Sequence, residues 1–196
     1  MAINRKDSQT RKEEALTTAM AIIHTEGIHN LTLRRVADGL GISEAALFRH
    51  FKDKEDLIDH LASKVFDQYM VAEPEGGENV EAALLALMVD QFSSFQRTPE
   101  ATSVLFQEEL FREYPAVKER FDKRRHQRAD RIARLVRNAQ TKYQVARDVD
   151  PEVFALIYMG AMRNAIVEWR SEGCASDLLS RAERLHSHLV RILHEG

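Results

Sequence analysis

The sequence has few of the residues that would indicate a disulfide-bonded, membrane or β-rich protein. Of its 196 residues only Cys174 is a cysteine, so no internal disulfide and no thiolate metal cluster can form. Glycine and proline number 8 and 4, and no alternating run of Val, Ile and Thr bounded by turn residues predicts a strand. No segment approaches about 18 uncharged apolar residues, and the N-terminal residues are too polar for a signal core. We therefore expect an all-α, soluble, cytoplasmic protein with no membrane partner.

Positive charge is concentrated in parts of the chain. The formal net charge of −3 argues by itself against a nucleic-acid partner, but binding depends on where the cations lie. Residues 1–12 carry four cations against one acid, a balance of +3, and residues 49–54 carry three cations against Asp53. The largest basic run, residues 118–137, contains nine Lys and Arg. Because regularly spaced apolar residues give this run a second side, we interpret it as a solvated helix face, with DNA contact as the alternative.

Capping signals divide the chain into helices. The segment EPEGGEN, residues 73–79, combines proline, glycine and charge and marks the expected domain boundary. The predicted helices run from Asp7 or Ser8 to Gly27, from Thr32 to Gly41, from Ser43, from Asp53, from about 79 to 97, from Pro99 to about 113, from Pro115 to about 142, from Asp150 to about Glu172, and from Ser176.

The segment LTLRRVADGLGISEAALFRHF, residues 31–51, has the pattern of a helix-turn-helix. Two short helices that cross over a tight turn favour a glycine in the turn and a small residue at the crossing, which are Gly41 and Ala37 here. The apolar positions can pack inward, and Glu44, Ala45, Phe48 and Arg49 are then left outside. Small residues at 45 and 46 would let this face approach the floor of the DNA major groove. From the pattern alone, a helical hairpin inside a larger bundle is the alternative.

The longer segment LTLRRVADGLGISEAALFRHFKDKEDLI resembles the N-terminal DNA-binding signature of the tetracycline-repressor (TetR) family of bacterial transcriptional regulators. The resemblance spans about residues 11–60, and the residues in register are Thr32, Val36, Ala37, Gly41, Ser43, Phe48, Arg49, His50, Phe51, Lys54 and Leu57. It implies a helix-turn-helix DNA-binding domain over 1–53, a connecting helix over 54–72, and a helical ligand-binding and dimerisation domain over 73–196. It also implies a homodimer, without cofactor or enzymatic activity, that a small apolar molecule releases from a double-stranded, pseudo-palindromic operator.

The resemblance assigns roles to individual residues of the DNA-binding domain. It implies that Ser43, Ala45, Ala46 and Arg49 face the groove, whereas Thr32, His50 and Lys54 contact phosphates. Two positions depart from the family pattern. Phe48 stands where the family usually has tyrosine, so a hydroxyl contact to phosphate is lost. Glu44 places a carboxylate at the start of the recognition helix, where it either stabilises the helix dipole or accepts a hydrogen bond from cytosine.

The C-terminal helices carry the expected dimer contacts. The last helix repeats apolar residues at spacings of three and four, which makes a seam for a partner helix. The resemblance implies that the final two helices of each chain form the dimer interface. A seam buried within one chain is the alternative. The interface residues assigned on this basis are Trp169, Leu178, Ala182, Leu185, Leu189 and Ile192.

Bulky, adaptable side chains on the central helices are the candidate lining of a ligand pocket, although such residues at helical spacing more often form plain core. Gln107, Glu109, His126 and Asn164 are polar candidates that could orient a ligand. The apolar candidates are Phe66, Met70, Met88, Phe92, Phe95, Phe106, Phe154, Tyr158 and Met162.

Parts of the sequence also resemble two other kinds of protein. Glu-x-x-His occurs at Glu26–His29 and Glu183–His186, as in helical di-iron proteins, but the first pair straddles Gly27 and the second lacks inward acidic partners, so no metal site is expected. SEAALFRHF also resembles the recognition helix of the family's nucleoid-occlusion member, which acts on a division protein without a small inducer. The sequence does not specify the operator, the ligand, the target genes, or whether binding represses or activates.

Overall fold

The computed structural model describes residues 8–69 and 79–195, and these form ten α-helices and no strand. The all-α prediction is confirmed. No helix within the two ranges is long and apolar enough to cross a membrane. The helices are α1 (Ser8–Glu26), α2 (Leu33–Leu40), α3 (Glu44–Leu47), α4 (Lys54–Tyr69), α5 (Val80–Arg97), α6 (Glu100–Leu105), α7 (Glu108–Glu113), α8 (Pro115–Thr141), α9 (Pro151–Ser171) and α10 (Leu179–Glu195), with a 3₁₀ turn at Ile28–Asn30.

The predicted caps start the short helices of the N-terminal part. Thr32 and Ser43 accept hydrogen bonds, at 3.1 and 3.2 Å, from backbone N–H groups three residues further on. Before α4, Asp53 accepts from the backbone N–H of Asp56 at 2.8 Å, while the Asp56 carboxylate accepts from the N–H of Lys52 at 2.9 Å. This reciprocal arrangement closely resembles a capping box, and it pairs N–H groups that the first turn would otherwise leave without partners.

Two helix predictions were wrong. The helix expected over 99–113 is divided into α6 and α7, which are separated at residues 106–107. Ser176 does not cap the last helix, because its hydroxyl donates to the Glu172 carboxylate at 2.6 Å. Asp177 instead accepts from the N–H of Leu179, the first residue of α10, at 3.0 Å.

The chain forms two compact units. The head unit contains the described residues up to Asp67 together with Glu100–Glu119, and the body unit contains those of Gln68–Pro99 and from Arg120 onward. The predicted division placed 100–119 in the C-terminal domain. In the structure, α4 and α8 each contain residues of both units. The boundary at residue 72 lies outside the described residues, and the functional boundaries stay predictions.

The core of the head unit forms where α1 meets α2 and α6 and where α2 meets α3. α2 packs on α1 and α3, as a helix-turn-helix requires, and α6 also packs on α1. The His24 ring lies 2.8 Å from the Ser103 hydroxyl and joins α1 to α6. Leu40 and Ile42, expected in the core, are only half-buried. The remaining predicted core residues are buried, namely Leu16, Ala19, Ile23, Val36, Leu47 and Phe51.

The core of the body unit is built on α5, α9 and α10. α10 packs against α5 and α9. The Tyr158 hydroxyl on α9 donates to the backbone carbonyl of Leu84 on α5 at 2.6 Å, and the Trp169 indole N–H donates to the carbonyl of Ser176 at 2.7 Å. Each bond satisfies the polar atom of a large buried aromatic side chain, so both rings can occupy the interior.

Candidate DNA-binding surface

The turn between α2 and α3 is set by one residue in the left-handed backbone region. Gly41 has φ 65° and ψ 32°, and its N–H bonds to the carbonyl of Asp38 at 3.1 Å. The N–H of Ile42 reaches back to the carbonyl of Ala37, also at 3.1 Å. These bonds end α2 and reverse the chain within two residues, at a conformation that side chains with a Cβ rarely adopt.

α3 presents one face to solvent. Leu47 and Phe51, one turn apart, are fully buried and anchor the other face. The Phe48 side chain is 49% exposed, which is unusual for a large apolar residue. Ala46 is half-buried, and the remaining predicted groove residues share the exposed face, namely Ser43, Glu44, Ala45 and Arg49.

The predicted DNA contacts at Arg49, His50 and Lys54 have different surroundings. Arg49 is exposed, and among residues 8–69 and 79–195 it has no hydrogen-bond or ion-pair partner. The Lys54 ammonium is half-buried and lies 3.4 Å from the backbone carbonyl of Ile28. The His50 ring lies 3.5 Å from the Ser8 hydroxyl. Arg49 is therefore the cation of this set that is most available to a ligand.

Sequence reasoning overlooked Arg34, which lies in the first turn of α2. A cation there opposes the helix dipole. Its neighbour Arg35 forms an ion pair with Glu26, whereas Arg34 is exposed and unpaired within the described ranges. This unfavourable position is the signal in the sequence that could have identified Arg34 as a candidate for binding an external anion.

Residues 15–61 match the family model described as bacterial regulatory proteins, tetR family. The matched segment covers α2, the Gly41 turn and α3, and it ends within α4. Residues 15–61 therefore carry the DNA-binding segment that this family model describes. An HTH-type transcriptional regulator of Staphylococcus aureus strain USA300 is 33% identical over 66 residues, which cover 34% of this chain and 36% of the relative. The chain thus matches about a third of the length of such curated relatives.

Solved structures resemble this chain over nearly its whole length. The regulator FadR of Bacillus subtilis, in complex with stearoyl-CoA, has a TM-score of 0.74 at 16% identity, covering 93% of this chain and 99% of that one. SmeT, in complex with triclosan, has a TM-score of 0.76 at 21% identity, with 94% and 90% covered. At these identities the likeness establishes the fold and no more.

The structure separates the predicted ligand-binding residues. Phe66, buried, and Phe106, half-buried, belong to the head unit, and Met70 lies outside the described residues. Six of the predicted residues are buried on α5 and α9 of the body unit, namely Met88, Phe92, Phe95, Phe154, Tyr158 and Met162. Their role as a ligand lining stays a prediction.

None of the proposed polar ligand contacts lies in the body core. His126 and Asn164 are exposed. Glu109 and Gln107 belong to the head unit, where Glu109 lies 3.4 Å from the His29 ring. The enclosed polar groups of the body include two other residues, namely buried Gln91 and Arg128, whose Nη2 atom is excluded from solvent and has no hydrogen-bond partner among the described residues.

The interpretation of residues 118–137 as a solvated face was therefore wrong at Arg128. This residue precedes Ile132 and Val136 by one and two helical turns, and both are fully buried. The same spacing places Arg128 on the inward stripe of α8. The signal was visible in the sequence, but a charged residue was assumed to face water.

Most residues assigned to the dimer interface are buried within one chain. Leu185 is half-buried, and Ile192 is 38% exposed. The other four assigned residues are buried, namely Trp169, Leu178, Ala182 and Leu189. They can contribute little area to a contact with a second chain. The α10 seam packs on α5, as expected for a seam buried within one chain.

The outer face of α9 carries exposed apolar side chains instead. Leu156 is 68% exposed, Val153 51%, and Ile157 and Val167 41% each. A Cβ built at Gly160, between these positions, would contact nothing within 4 Å. α9 is thus apolar on both sides, with its outer side uncovered in the single chain.

A groove of about 620 Å³ lies on the body between α9 and α10. Its walls include Glu168, Arg181, Arg184 and His188, so it is charged and differs from the predicted apolar pocket. Arg181 donates to Glu172 at 2.5 Å, and this bond holds the pKa of the Glu172 carboxyl below its ordinary value. Within the described residues, no group of three His, Cys, Asp or Glu side chains could hold a metal ion.

Proposed function

We propose that the chain is a homodimeric transcriptional regulator that binds double-stranded operator DNA through α2 and α3 and is released by a small molecule with an apolar part. The observation that carries this proposal is the exposed face of α3, which buried Leu47 and Phe51 hold on the matched DNA-binding segment. Such a regulator acts in the cytoplasm, where bacterial DNA lies, and catalyses no reaction.

In this proposal α3 enters the major groove. Ala45 and half-buried Ala46 allow close approach, Arg49 supplies a base or phosphate contact, and Phe48 supplies an apolar surface suited to a thymine methyl group. Ser43 lies at the N-terminus of α3, where backbone N–H groups favour an anion. Thr32, His50 and Lys54 contact phosphates, and we add Arg34 to that set because it is exposed and unpaired.

The outer face of α9 is the proposed dimer surface. Leu156, Ile157 and Val167 would be covered by the same residues of a second copy around a two-fold axis. Gly160 allows close approach of the two helices. A dimer presents two α3 helices to one side of the duplex, so the operator is expected to be a pseudo-palindrome with half-sites one or two turns apart, at about 34 to 36 Å per turn.

The ligand response rests on the body core. Solved structures with this fold include one in complex with triclosan and one with stearoyl-CoA. In this chain, α5 and α9 place Met88 and Met162 beside aromatic rings, and methionine adapts readily to an inserted apolar group. α4 and α8 pass without a break into the head unit, so a displacement in the body can alter the spacing of the two α3 helices. Such coupling is typically about 1 to 3 kcal/mol.

Selection of bound duplexes from a random DNA library tests the proposal. We expect an inverted repeat, bound as a dimer in sedimentation, whose binding weakens about 5- to 150-fold in the presence of an effective apolar compound. Enrichment of no sequence would contradict the regulator function. Sequence-specific binding that no compound alters, combined with DNA-dependent capture of a division protein, would favour the nucleoid-occlusion alternative.

A further inference from the structure

Arg128 is a half-buried arginine of the body unit, and part of its guanidinium is enclosed by the protein. It lies on α8 one helical turn before Ile132, which is fully buried on the same stripe. The Nη2 atom is excluded from solvent and has no hydrogen-bond partner within the described residues. Buried arginines are normally paired with a carboxylate, because an uncompensated buried charge destabilises the fold.

The contact that Arg128 does make is neutral and fixed. Its Nη1 group donates to the side-chain oxygen of Gln91 on α5. The Gln91 amide nitrogen donates in turn to the backbone carbonyl of Tyr69 at 2.7 Å, and Gln91 is itself buried. The amide is thus held with its oxygen toward the guanidinium, and this orients Arg128 without neutralising it. Across residues 8–69 and 79–195, no carboxylate pairs with Arg128.

The other described residues around Arg128 do not supply a counter-charge either. Burial lowers the pKa of Arg128, although an arginine stays protonated in a protein. The Tyr158 hydroxyl is engaged with the Leu84 carbonyl, and burial raises the pKa of this tyrosine, so it remains neutral. Among the described residues, the guanidinium therefore keeps a full positive charge and two unused N–H donors on Nη2.

The residues next to the two polar neighbours of Arg128 are apolar. Gln91 follows Met88 by one turn on α5, and Tyr158 lies one turn from both Phe154 and Met162 on α9. These three apolar residues are all buried. A molecule that reached Nη2 between these helices would contact methionine and aromatic side chains along most of its length.

We propose that Arg128 binds the carboxylate of the effector, so that the molecule regulating this chain is an apolar carboxylic acid whose anionic head pairs with Nη2 inside the body unit. The inference rests on the proposed regulatory function and names its ligand class. A carboxylate fits because one negative charge neutralises the guanidinium and its oxygens accept charge-assisted hydrogen bonds. A phosphate dianion would leave an excess charge in the apolar core.

Binding of three probes that share one alkyl chain tests the assignment by calorimetry on the full chain. The probes are dodecanoate, dodecan-1-ol and dodecanoyl-CoA. We expect wild type to bind dodecanoate at least about tenfold more tightly than the alcohol, as one charge-assisted hydrogen bond requires. Equal affinities of acid and alcohol, or tighter binding of the thioester than of the acid, would overturn the proposal.

Variants locate the anion site. Arg128→Gln is expected to abolish the preference for acid over alcohol, whereas Arg125→Gln, an exposed arginine on the same helix, is expected to keep it. Gln91→Glu places a carboxylate against Arg128, so it should raise the midpoint of thermal unfolding and reduce dodecanoate affinity at least about tenfold. The wild-type comparison and Gln91→Glu do not depend on whether Arg128→Gln folds. A preference retained in Arg128→Gln, or unchanged binding in Gln91→Glu, would remove Arg128 from the site.

Measuring DNA binding in the same samples separates this inference from the proposed function. If neutral apolar compounds release DNA as effectively as the acid does, the proposed regulatory function is supported and Arg128 is not an anion site. If dodecanoate binds through Arg128 but leaves DNA binding unchanged, the anion site stands and the proposed ligand response is wrong.

Discussion

Gly39 of α2 lies directly against Thr18 of α1. A Cβ built at position 39 would meet the Thr18 methyl carbon at 2.9 Å, closer than real Cβ contacts occur. α1 and α2 therefore approach each other closely at Gly39, while Ala37, expected at the crossing of α2 and α3, is fully buried. Because α2 packs on both α1 and α3, the approach at Gly39 contributes to the position of α3.

Replacing Gly39 by alanine should destabilise the head unit, although alanine is the better helix former. Crowding against Thr18 is expected to cost about 1 to 3 kcal/mol in the free energy of unfolding. In a Thr18→Ala background the same change should instead be neutral or stabilising by up to about 1 kcal/mol. Urea unfolding of the four proteins of this cycle gives the coupling. Equal effects in both backgrounds would mean that the two helices do not meet at this pair.

Arg49 and Lys54 should differ in how they affect DNA binding. Arg49→Ala is expected to cost about 1 to 3 kcal/mol on the selected operator. Lys54→Ala should weaken binding to all duplexes and lower the salt slope by about one. Fluorescence anisotropy over a range of salt concentrations measures both effects. Arg125→Ala, on α8, serves as the control. If it reduced DNA affinity as much as Arg49→Ala does, the basic run of residues 118–137 would be part of the DNA-binding site.

The outer face of α9, rather than the α10 seam, should control dimerisation. Leu156→Glu puts a charge on the exposed apolar face and is expected to give folded monomers that bind half-sites weakly. Leu189→Glu should unfold the chain, since Leu189 is buried within it. Sedimentation with circular dichroism distinguishes these outcomes. Tyr143→Glu, another exposed apolar position, should stay dimeric, and a dimeric Leu156→Glu would place the interface elsewhere.

The ion pair between Glu13 of α1 and Lys64 of α4 should make stability depend on pH. Lys64 donates to Glu13 at 2.5 Å, and this hydrogen bond lowers the pKa of Glu13 from its ordinary 4.5. A depressed carboxyl pKa stabilises the fold above the unfolded pKa, and the contribution is lost as pH falls through the folded pKa. Because the Glu13 side chain is 46% exposed, less than about 1 kcal/mol is expected.

Glu13→Gln should therefore lower the free energy of unfolding at about pH 7 and leave it unchanged at about pH 2, where wild-type Glu13 is protonated. Lys64→Gln should show the same loss, and the double variant no further loss. Denaturant unfolding at the two pH values measures these differences. A loss that is the same at both would show that the ion pair is not its cause.

Short-range interactions along the chain determine where the helices of the head unit begin and end. Thr32 and Ser43 cap helices through bonds to residues three positions away, and Gly41 ends α2 because its backbone is left-handed. Interactions over so short a distance along the chain are largely independent of the rest of the fold. The match to the tetR-family model lies in this same segment, so the sequence was sufficient to find it.

Only the tertiary structure decided what the body does with its apolar and charged residues. α9 is apolar on both sides, and its periodicity does not say which side packs inward until α5 and α10 are in place. The α10 seam is equally compatible with a partner in the same chain or in a second one. The guanidinium of Arg128 is enclosed beside Gln91, which is 37 residues away in sequence and accepts its hydrogen bond. Packing of distant segments sets which face is covered and which charge is enclosed, and no local pattern encodes it.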